Sequence, residues 1–521
     1  MKRNLLLSLA FASMAFTPVC ADNYKPNYTG VPHHKMYAYF QNNGELPSYG
    51  FASLWSNYYH AKTEYDDFGV ELLYPYDVYV GDNSRISGVL SIYAGAAVDG
   101  VYYAPQYEYS AAGGVVPAPF ISHNMYTGER IELGKWAESG DTKKVQDMTY
   151  DEKNKKMYAL AFCLGHSTID EVDLNSGKLN TVCELPTTMG TIAANKRGEI
   201  FCIGASDGIL YKIFLSSGTA MPIYQTNLKG MTAGQTMEFD KTNGDLYWTS
   251  STSSYKDQEG FPEDSYNRTY MIRFQFDKNG NVTSMDNIDE IGEQSCVRAL
   301  YIPYADGGAN APAAPTDVTG TPDENGARKV TLSWTNPTTT FDGDNLTVIS
   351  NVTITRDDEI IKTFDEAQVG AKMSFVDETA DKDKQYKYAI YASNDAGRGG
   401  KGLLYQYVGL DVPEAPTNLF IKVGDGAQTT TISWNPVTKG AHGNKLDTKS
   451  VKYDVVRMPG NSKIGTDLET TSVEDKNIRR LGNYYYVVTA KNEVGSSSAN
   501  TTSWVFGKAY QVNADQNYDE T

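Results

Sequence analysis

Cysteine, histidine and long apolar runs are all scarce in this chain. It holds 5 cysteines in 521 residues. None of Cys163, Cys183, Cys202 and Cys296 stands in a C-x-x-C pair, which excludes a zinc knuckle or a thioredoxin-type motif. The 6 histidines are scattered. His33 and His34 are neighbours, so in an extended segment they point opposite ways and make a poor chelate. No metal site and no cofactor is expected. Gly-x-Ser-x-Gly, His-Glu-x-x-His and the P-loop are missing too, so no catalytic residue is assigned. Beyond the first 21 residues no apolar stretch reaches the ~18 residues that span a bilayer.

Positive charge is also short. The net charge is −18, which repels nucleic acid and anionic lipid and removes both as partners. The acidic residues are dispersed, as on a solvated surface. Adjacent pairs such as Asp66-Asp67 and Asp357-Asp358 do not reach the carboxyl separation of a glycosidase. A carboxyl pair drawn from separate segments, such as Asp99 with Asp147, stays open. Asp173 and Asp277 lie beside turn glycines and are expected to cap turns.

The N-terminus carries what the rest lacks. Met1-Lys2-Arg3 precedes an apolar run to Phe16, and Val19 and Ala21 fit the −3 and −1 positions of a cleavage site. Residues 1–21 therefore read as a signal peptide, and the mature chain starts near Asp22, secreted or at the cell surface. Cys20 raises a lipoprotein alternative, but Thr-Pro-Val is a poor lipobox. Export permits disulfides. Cys163 and Cys202 lie in apolar strand-like runs where free cysteine is common, so pairing stays open.

Tyrosine is abundant, at 38 residues. Val, Thr, Tyr and Ile alternate with polar residues almost throughout, which predicts an all-β chain. Its length calls for several domains, and two repeats divide it. Val330-Thr-Leu-Ser-Trp334-Thr-Asn-Pro337 answers Thr430-Thr-Ile-Ser-Trp434-Asn-Pro436, 100 residues on. Arg356, Tyr386 and Tyr388 answer Arg457, Tyr484 and Tyr486. Both copies open after a Pro-rich linker, at Pro315 and Pro416, and carry an Asn-x-x-Gly-like turn at Asn394 and Asn492. This pattern resembles fibronectin type III modules over 310–410 and 411–509. The resemblance implies β-sandwiches with Trp334, Tyr388, Trp434 and Tyr486 in the core, acting as spacers or contact surfaces. The polar tail 510–521 reads as a terminus or as a linker into a further domain.

The second repeat is shorter. Tyr102, Tyr158, Phe201 and Tyr247 each follow a tight polar turn, and each unit ends in another strand and a Gly turn. The steps lie in the forties and fifties, and "SYGFASLWSN" and "SCVRALYIPY" supply partial units at the two ends. Spacing of ~44 residues with several short strands per unit is that of propeller blades. Residues 22–309 thus resemble a β-propeller of roughly six blades, with the last unit closing on the N-terminal part. It lacks the Gly-His and Trp-Asp signature of WD40 repeats.

In such a ring the first strand of each unit lines the channel. Gln146, Asp147, Thr191, Gln235, Thr236 and Arg298 are therefore the candidate ligand-binding residues; the competing reading makes them channel wall or blade-to-blade hydrogen bonds. Tyr58, Tyr59, Tyr107 and Tyr109 break the repeat and are candidates for stacking on sugar. The functional expectation is an exported, non-catalytic binding or adhesion protein whose partner is a glycan or an extracellular protein. The alternatives are a polysaccharide hydrolase or lyase with carboxylates at the propeller mouth, and a structural stalk.

Overall fold

The computed structural model describes residues 36–42, 48–55, 69–75, 91–92, 94–109, 115–125, 130–136, 143–163, 165–228, 235–251, 268–293, 295–365 and 367–508, some strand residues by backbone alone. Residues 1–21, where a signal peptide is expected, the tail 510–521, Tyr58 and Tyr59 lie outside them. Apart from one short 3-10 turn at Asp425–Ala427, the named elements are strands. No helix among the described residues is long and apolar enough to cross a membrane.

Two compact units divide the chain. One holds residues up to 314 together with 337–350 and 392–401. The other holds 315–336, 351–391 and 402 onward.

In the first unit the described residues form five antiparallel sheets. The sequence reading expected roughly six units. The difference arises at the ends, where the two partial units share one sheet. Ser295–Tyr301 pairs with Met36–Asn42, which pairs with Ser48–Trp55 and then Gly69–Pro75. The second sheet runs from Ser91–Ile92 and Ala96–Val98 through Val101–Tyr109 and Val115–Asn124 to Arg130–Lys135. The third is Lys144–Asp151, Lys156–Cys163, His166–Val172 and Leu179–Glu184. The fourth is Met189–Ala194, Ile200–Gly204, Ile209–Phe214 and Thr219–Gln225. The fifth is Thr236–Phe239, Leu246–Ser251, Arg268–Phe276 and Val282–Glu293.

Local chemistry sets these meanders. Val98 faces Val101 across Asp99-Gly100, both at positive φ (48° and 75°), the two-residue turn that matches strand twist. Asp173 accepts the Asn175 amide at 2.9 Å, and Asp277 accepts those of Asn279 and Asn281 at 2.8 and 2.9 Å, so both cap turns as expected. The repeated aromatics Tyr102, Tyr158, Phe201 and Tyr247 are all buried. Cores form between neighbouring sheets. Phe201 and Ile203 of the fourth pack with Met237, Trp248 and Phe274 of the fifth. Met36 and Val297 of the first pack with Tyr247 and Met271 of the fifth. Cys202 is a buried free thiol, pushed well up in pKa by its burial, and Cys183 is a half-buried free thiol.

Two β-sandwiches follow with the same strand order. In the first, Thr316–Pro322, Val330–Thr335 and Lys372–Asp377 make one sheet. Glu359–Asp365, Asn351–Arg356 and Lys384–Asn394 make the other, which Gly397–Arg398 and Gly402–Val408 extend. In the second, Phe420–Val423, Thr430–Ser433 and Ser472–Asp475 face Ser462–Leu468, Lys452–Met458 and Gly482–Lys491, extended by Ser496–Asn500 and Trp504–Phe506. Trp334, Tyr388, Trp434 and Tyr486 are buried, as their positions in the pattern imply.

Candidate functional site

The first strands of the sheets lie side by side in sequence order. Ala96–Val98 contacts Lys144–Asp151, which contacts Met189–Ala194, which contacts Thr236–Phe239. Thr236–Phe239 then contacts Ser295–Tyr301, and that strand contacts Ala96–Val98. Five of the six predicted channel residues lie on or directly before these strands' shared stretch, and the sixth, Arg298, is on Ser295–Tyr301.

Asp147 is the centre of the group. It is fully buried. Its Oδ2 accepts the Thr191 hydroxyl and, at 3.0 Å, the Ile192 amide. Its Oδ1 accepts the Thr236 hydroxyl at 3.0 Å. The Thr236 oxygen in turn accepts the Leu300 amide at 3.3 Å. One carboxyl thus ties the third sheet to the fourth and fifth, and through Thr236 to the strand that closes the first. A parallel set lies two residues on. Thr149 accepts the Ala194 amide at 2.9 Å, while Thr249 accepts the Thr236 amide at 3.0 Å and donates to the Val297 carbonyl at 3.3 Å. Burial pushes the Asp147 carboxyl up to about 7, against its hydrogen-bond donors, which act to lower it.

The remaining predicted residues sit differently. Gln235 is buried and accepts the Trp248 indole N–H at 2.9 Å. Gln146 is part-exposed, although its carbonyl oxygen is shielded and meets no donor among the described residues. Arg298 is buried opposite Tyr39 in the first sheet. Tyr107 and Tyr109 lie on Val101–Tyr109, where only their backbone is described. Asp99 pairs with Lys401 at 2.8 Å within the first unit and has no part in the Asp147 network.

Sequence reasoning aligned these strands but missed the partners. The Ile192 and Leu300 amides have no residue-type signal. A usable signal did exist. Asp147 and Thr191 are 44 positions apart, and Asp147 and Thr236 are 89 apart, one and two repeat lengths. Side chains so spaced on neighbouring first strands fall at the same height and can bond each other.

A second polar site, in each sandwich, was also missed. Asp377 and Asp475 are buried, and each accepts an arginine and a tyrosine of the repeat. The matching signal is "SFVDET" against "SVEDKN".

No protein-family model matches this chain, and no curated protein matches it. Solved structures do. The FN1–FN3 domains of chicken CNTN1 align at 16% identity and a TM-score of 0.17, covering 54% of this chain and 99% of that one. A protein of unknown function from Bacteroides caccae aligns at 11% identity and a TM-score of 0.26, over 60% of this chain and 92% of the other. The central fibronectin-III array of RIM-binding protein aligns at 13% identity and a TM-score of 0.15, over 40% and 72%. Identity and TM-score are low in all three, so the sandwich assignment rests on the strand order and the repeated residues.

Proposed function

We propose that residues 36–301 form a five-bladed β-propeller, that two fibronectin type III-like sandwiches follow it, and that the chain is an exported, non-catalytic binding protein. The propeller reading is supported by the cyclic order of first-strand contacts and by the sheet that joins both ends of the region. On this reading the propeller carries recognition and the sandwiches space it or add contact surface. A glycan, or an extracellular protein displaying one, is the favoured partner.

One observation carries the choice of binding over catalysis. Asp147 is a fully buried carboxyl among the first strands, and donors from neighbouring sheets occupy both its oxygens. A general acid or base has to reach a substrate proton within hydrogen-bond distance. A carboxyl with no exposure and both oxygens engaged acts as a tie instead.

The test is a glycan and matrix-protein array run beside a reducing-end activity screen on the same polysaccharides. Binding without turnover is the expected result. Release of reducing ends from any polysaccharide overturns the non-catalytic reading. Cell fractionation with N-terminal sequencing tests export, and a mature N-terminus at Asp22 outside the cytoplasm is expected.

A further inference from the structure

The two sandwiches close with the same strand pairing but treat it differently. In the second, Tyr484 faces Trp504, Asn483 faces Val505 and Gly482 faces Phe506. In the first, Tyr386 faces Gln406, Gln385 faces Tyr407 and Lys384 faces Val408. Because Tyr386 answers Tyr484, Val505 stands where the first copy has Tyr407. The next residue but one agrees, since Gly409 and Gly507 both lie at positive φ, 96° and 110°. There the likeness stops. Tyr407 is 7% exposed, because the His442 ring stacks on it at 4.3 Å and Asn444 Nδ2 bonds its carbonyl. Val505 is 69% exposed, and Leu481 on the same side of the ladder is 53% exposed. Trp504, on the other side, is 52% exposed, whereas Trp136, Trp248, Trp334 and Trp434 are buried. The Trp504 indole donates to the Thr502 hydroxyl at 2.9 Å, which holds the ring at the edge.

The surroundings of this edge are basic. Arg479, Arg480 and Lys508 are exposed, and among the described residues no carboxylate pairs with their side chains. Their backbones are tied together. The Leu481 amide donates to the Lys508 carbonyl at 3.1 Å, and the Tyr484 hydroxyl donates to the Arg480 carbonyl at 3.0 Å. The chain as a whole carries −18, so three cations without counter-charges are a local exception. Screening limits charge to about 8 Å at physiological salt, so a surface reaching this edge meets the cations and not the distant acids. Exposed apolar side chains set together mark interaction sites, and Trp and Arg are the residue types that most often anchor protein interfaces.

We propose that the edge formed by Leu481, Trp504 and Val505, with Arg479, Arg480 and Lys508 around it, docks a protein partner whose contact face is acidic around an apolar centre. This goes beyond the glycan-binding reading and does not depend on it. The first copy shows that this end of a sandwich is covered by protein, since His442 and Asn444 close over Tyr407. Leu481 and Val505 bring no hydrogen-bonding side chain to a sugar. An anionic membrane offers a broad negative plane that repels the rest of a −18 chain, whereas a protein face can match three cations alone.

The experiment titrates the full chain at about 0.15 M salt with a random copolymer of glutamate and tyrosine, poly-L-glutamate, heparin and phosphatidylglycerol vesicles. The copolymer, acidic with apolar rings, is expected to bind best, and poly-L-glutamate about tenfold more weakly or worse. Val505→Glu is expected to weaken the copolymer about tenfold or more, the size of one interface anchor. Arg479→Glu with Arg480→Glu is expected to do the same, with unchanged melting temperatures because these side chains are exposed. If Val505→Glu fails to fold, Trp504→Ala and the arginine pair carry the test. No binding of the copolymer, binding that survives the substitutions, equal binding of poly-L-glutamate, or tighter binding of heparin or vesicles overturns the docking edge. Each of these results leaves the glycan reading of residues 36–301 standing.

Discussion

Tyr388 donates its hydroxyl to Asp377 at 2.8 Å, and in the next sandwich Tyr486 donates to Asp475 at 2.9 Å. Each carboxylate also takes an arginine, Arg356 Nη1 at 2.7 Å and Arg457 Nη1 at 2.6 Å. Each accepts a backbone amide two residues on, from Thr379 or Asn477. Each arginine lies over a second tyrosine ring, Tyr386 or Tyr484. The recurrence of Arg and Tyr in the two copies thus serves a buried carboxylate in each.

Removing that carboxylate strands its partners. Asp377→Ala and Asp475→Ala should each cost about 2–4 kcal/mol, because a buried tyrosine hydroxyl and an arginine lose their acceptor together. Denaturant titration of the isolated substitutions measures this. A cost under half a kcal/mol at both positions would show that the triads contribute nothing.

The two carboxyls Asp377 and Asp147 predict opposite pH responses. Burial alone would raise Asp377, but bonds from Thr379, Tyr388 and Arg356 hold it below its ordinary 3.8. Its stabilisation is present above the unfolded value and is lost as pH falls through the folded one. Asp147 is raised from 3.8 to about 7, so its native state favours the proton. Raising pH from 4 to 7 therefore costs stability at that site. Asp147→Asn should flatten unfolding free energy across that window in a pH series, while Asp377→Asn should flatten it only below pH 4.

The Asp147 tie should show strong coupling. Thr191→Val and Thr236→Val each remove one donor to a buried carboxyl, at about 1–3 kcal/mol apiece. In a cycle with Asp147→Ala the costs should fall short of additive by about 1 kcal/mol or more, since the three share one network. Strict additivity would mean that the side chains act independently.

The repeated tryptophans are not equivalent. The Trp334 indole donates to Asn336 Oδ1 at 2.9 Å, whereas Trp434 Nε1 meets no acceptor among the described residues. The second copy has lost one residue after its tryptophan, and Pro436 stands two places on. Trp334→Phe should therefore cost about 1 kcal/mol more than Trp434→Phe. Thermal unfolding of the two variants decides this, and equal shifts would contradict it.

Asp411 locks the start of the second sandwich. It is buried and accepts the His442 and Asn444 amides at 2.9 and 3.0 Å, and its Oδ1 meets His442 Nδ1 at 2.7 Å. Asn444 Nδ2 bonds the Tyr407 carbonyl at 2.8 Å, and the Tyr407 and His442 rings stack at 4.3 Å. Asp411→Ala should free this segment, so limited proteolysis between Tyr407 and Pro413 should quicken severalfold. An unchanged cleavage rate would place the rigidity elsewhere.

What could be read in the sequence was whatever repeats locally. Trp334 and Trp434 declare themselves because apolar alternation and a flanking Pro surround them. Tyr102, Tyr158, Phe201 and Tyr247 do so because each follows a turn. Asp377 and Asp475 match between the copies, but only the folded sheet shows both buried. Gln146 stands out through its place in the repeat, but only the opposing register shows that it and Gly190 are extra residues in their strands. The closing of Ser295–Tyr301 on the N-terminal part is legible from the repeat, but that the two partial units pair into a single sheet shows only in the register of Ser295–Tyr301 with Met36–Asn42.

That distant pairing sets an order on assembly. A chain emerging from synthesis presents Met36–Asn42 long before its mate, which is complete only at residue 301. Until then the strand keeps one open edge, the kind that recruits the wrong partner. Closing so long a loop is entropically costly and slow. The sheets between can each form from near neighbours, so the final seam is the step where folding and aggregation compete. Refolding of 36–301 should accordingly be slowest, and most sensitive to protein concentration, at the formation of that one ladder.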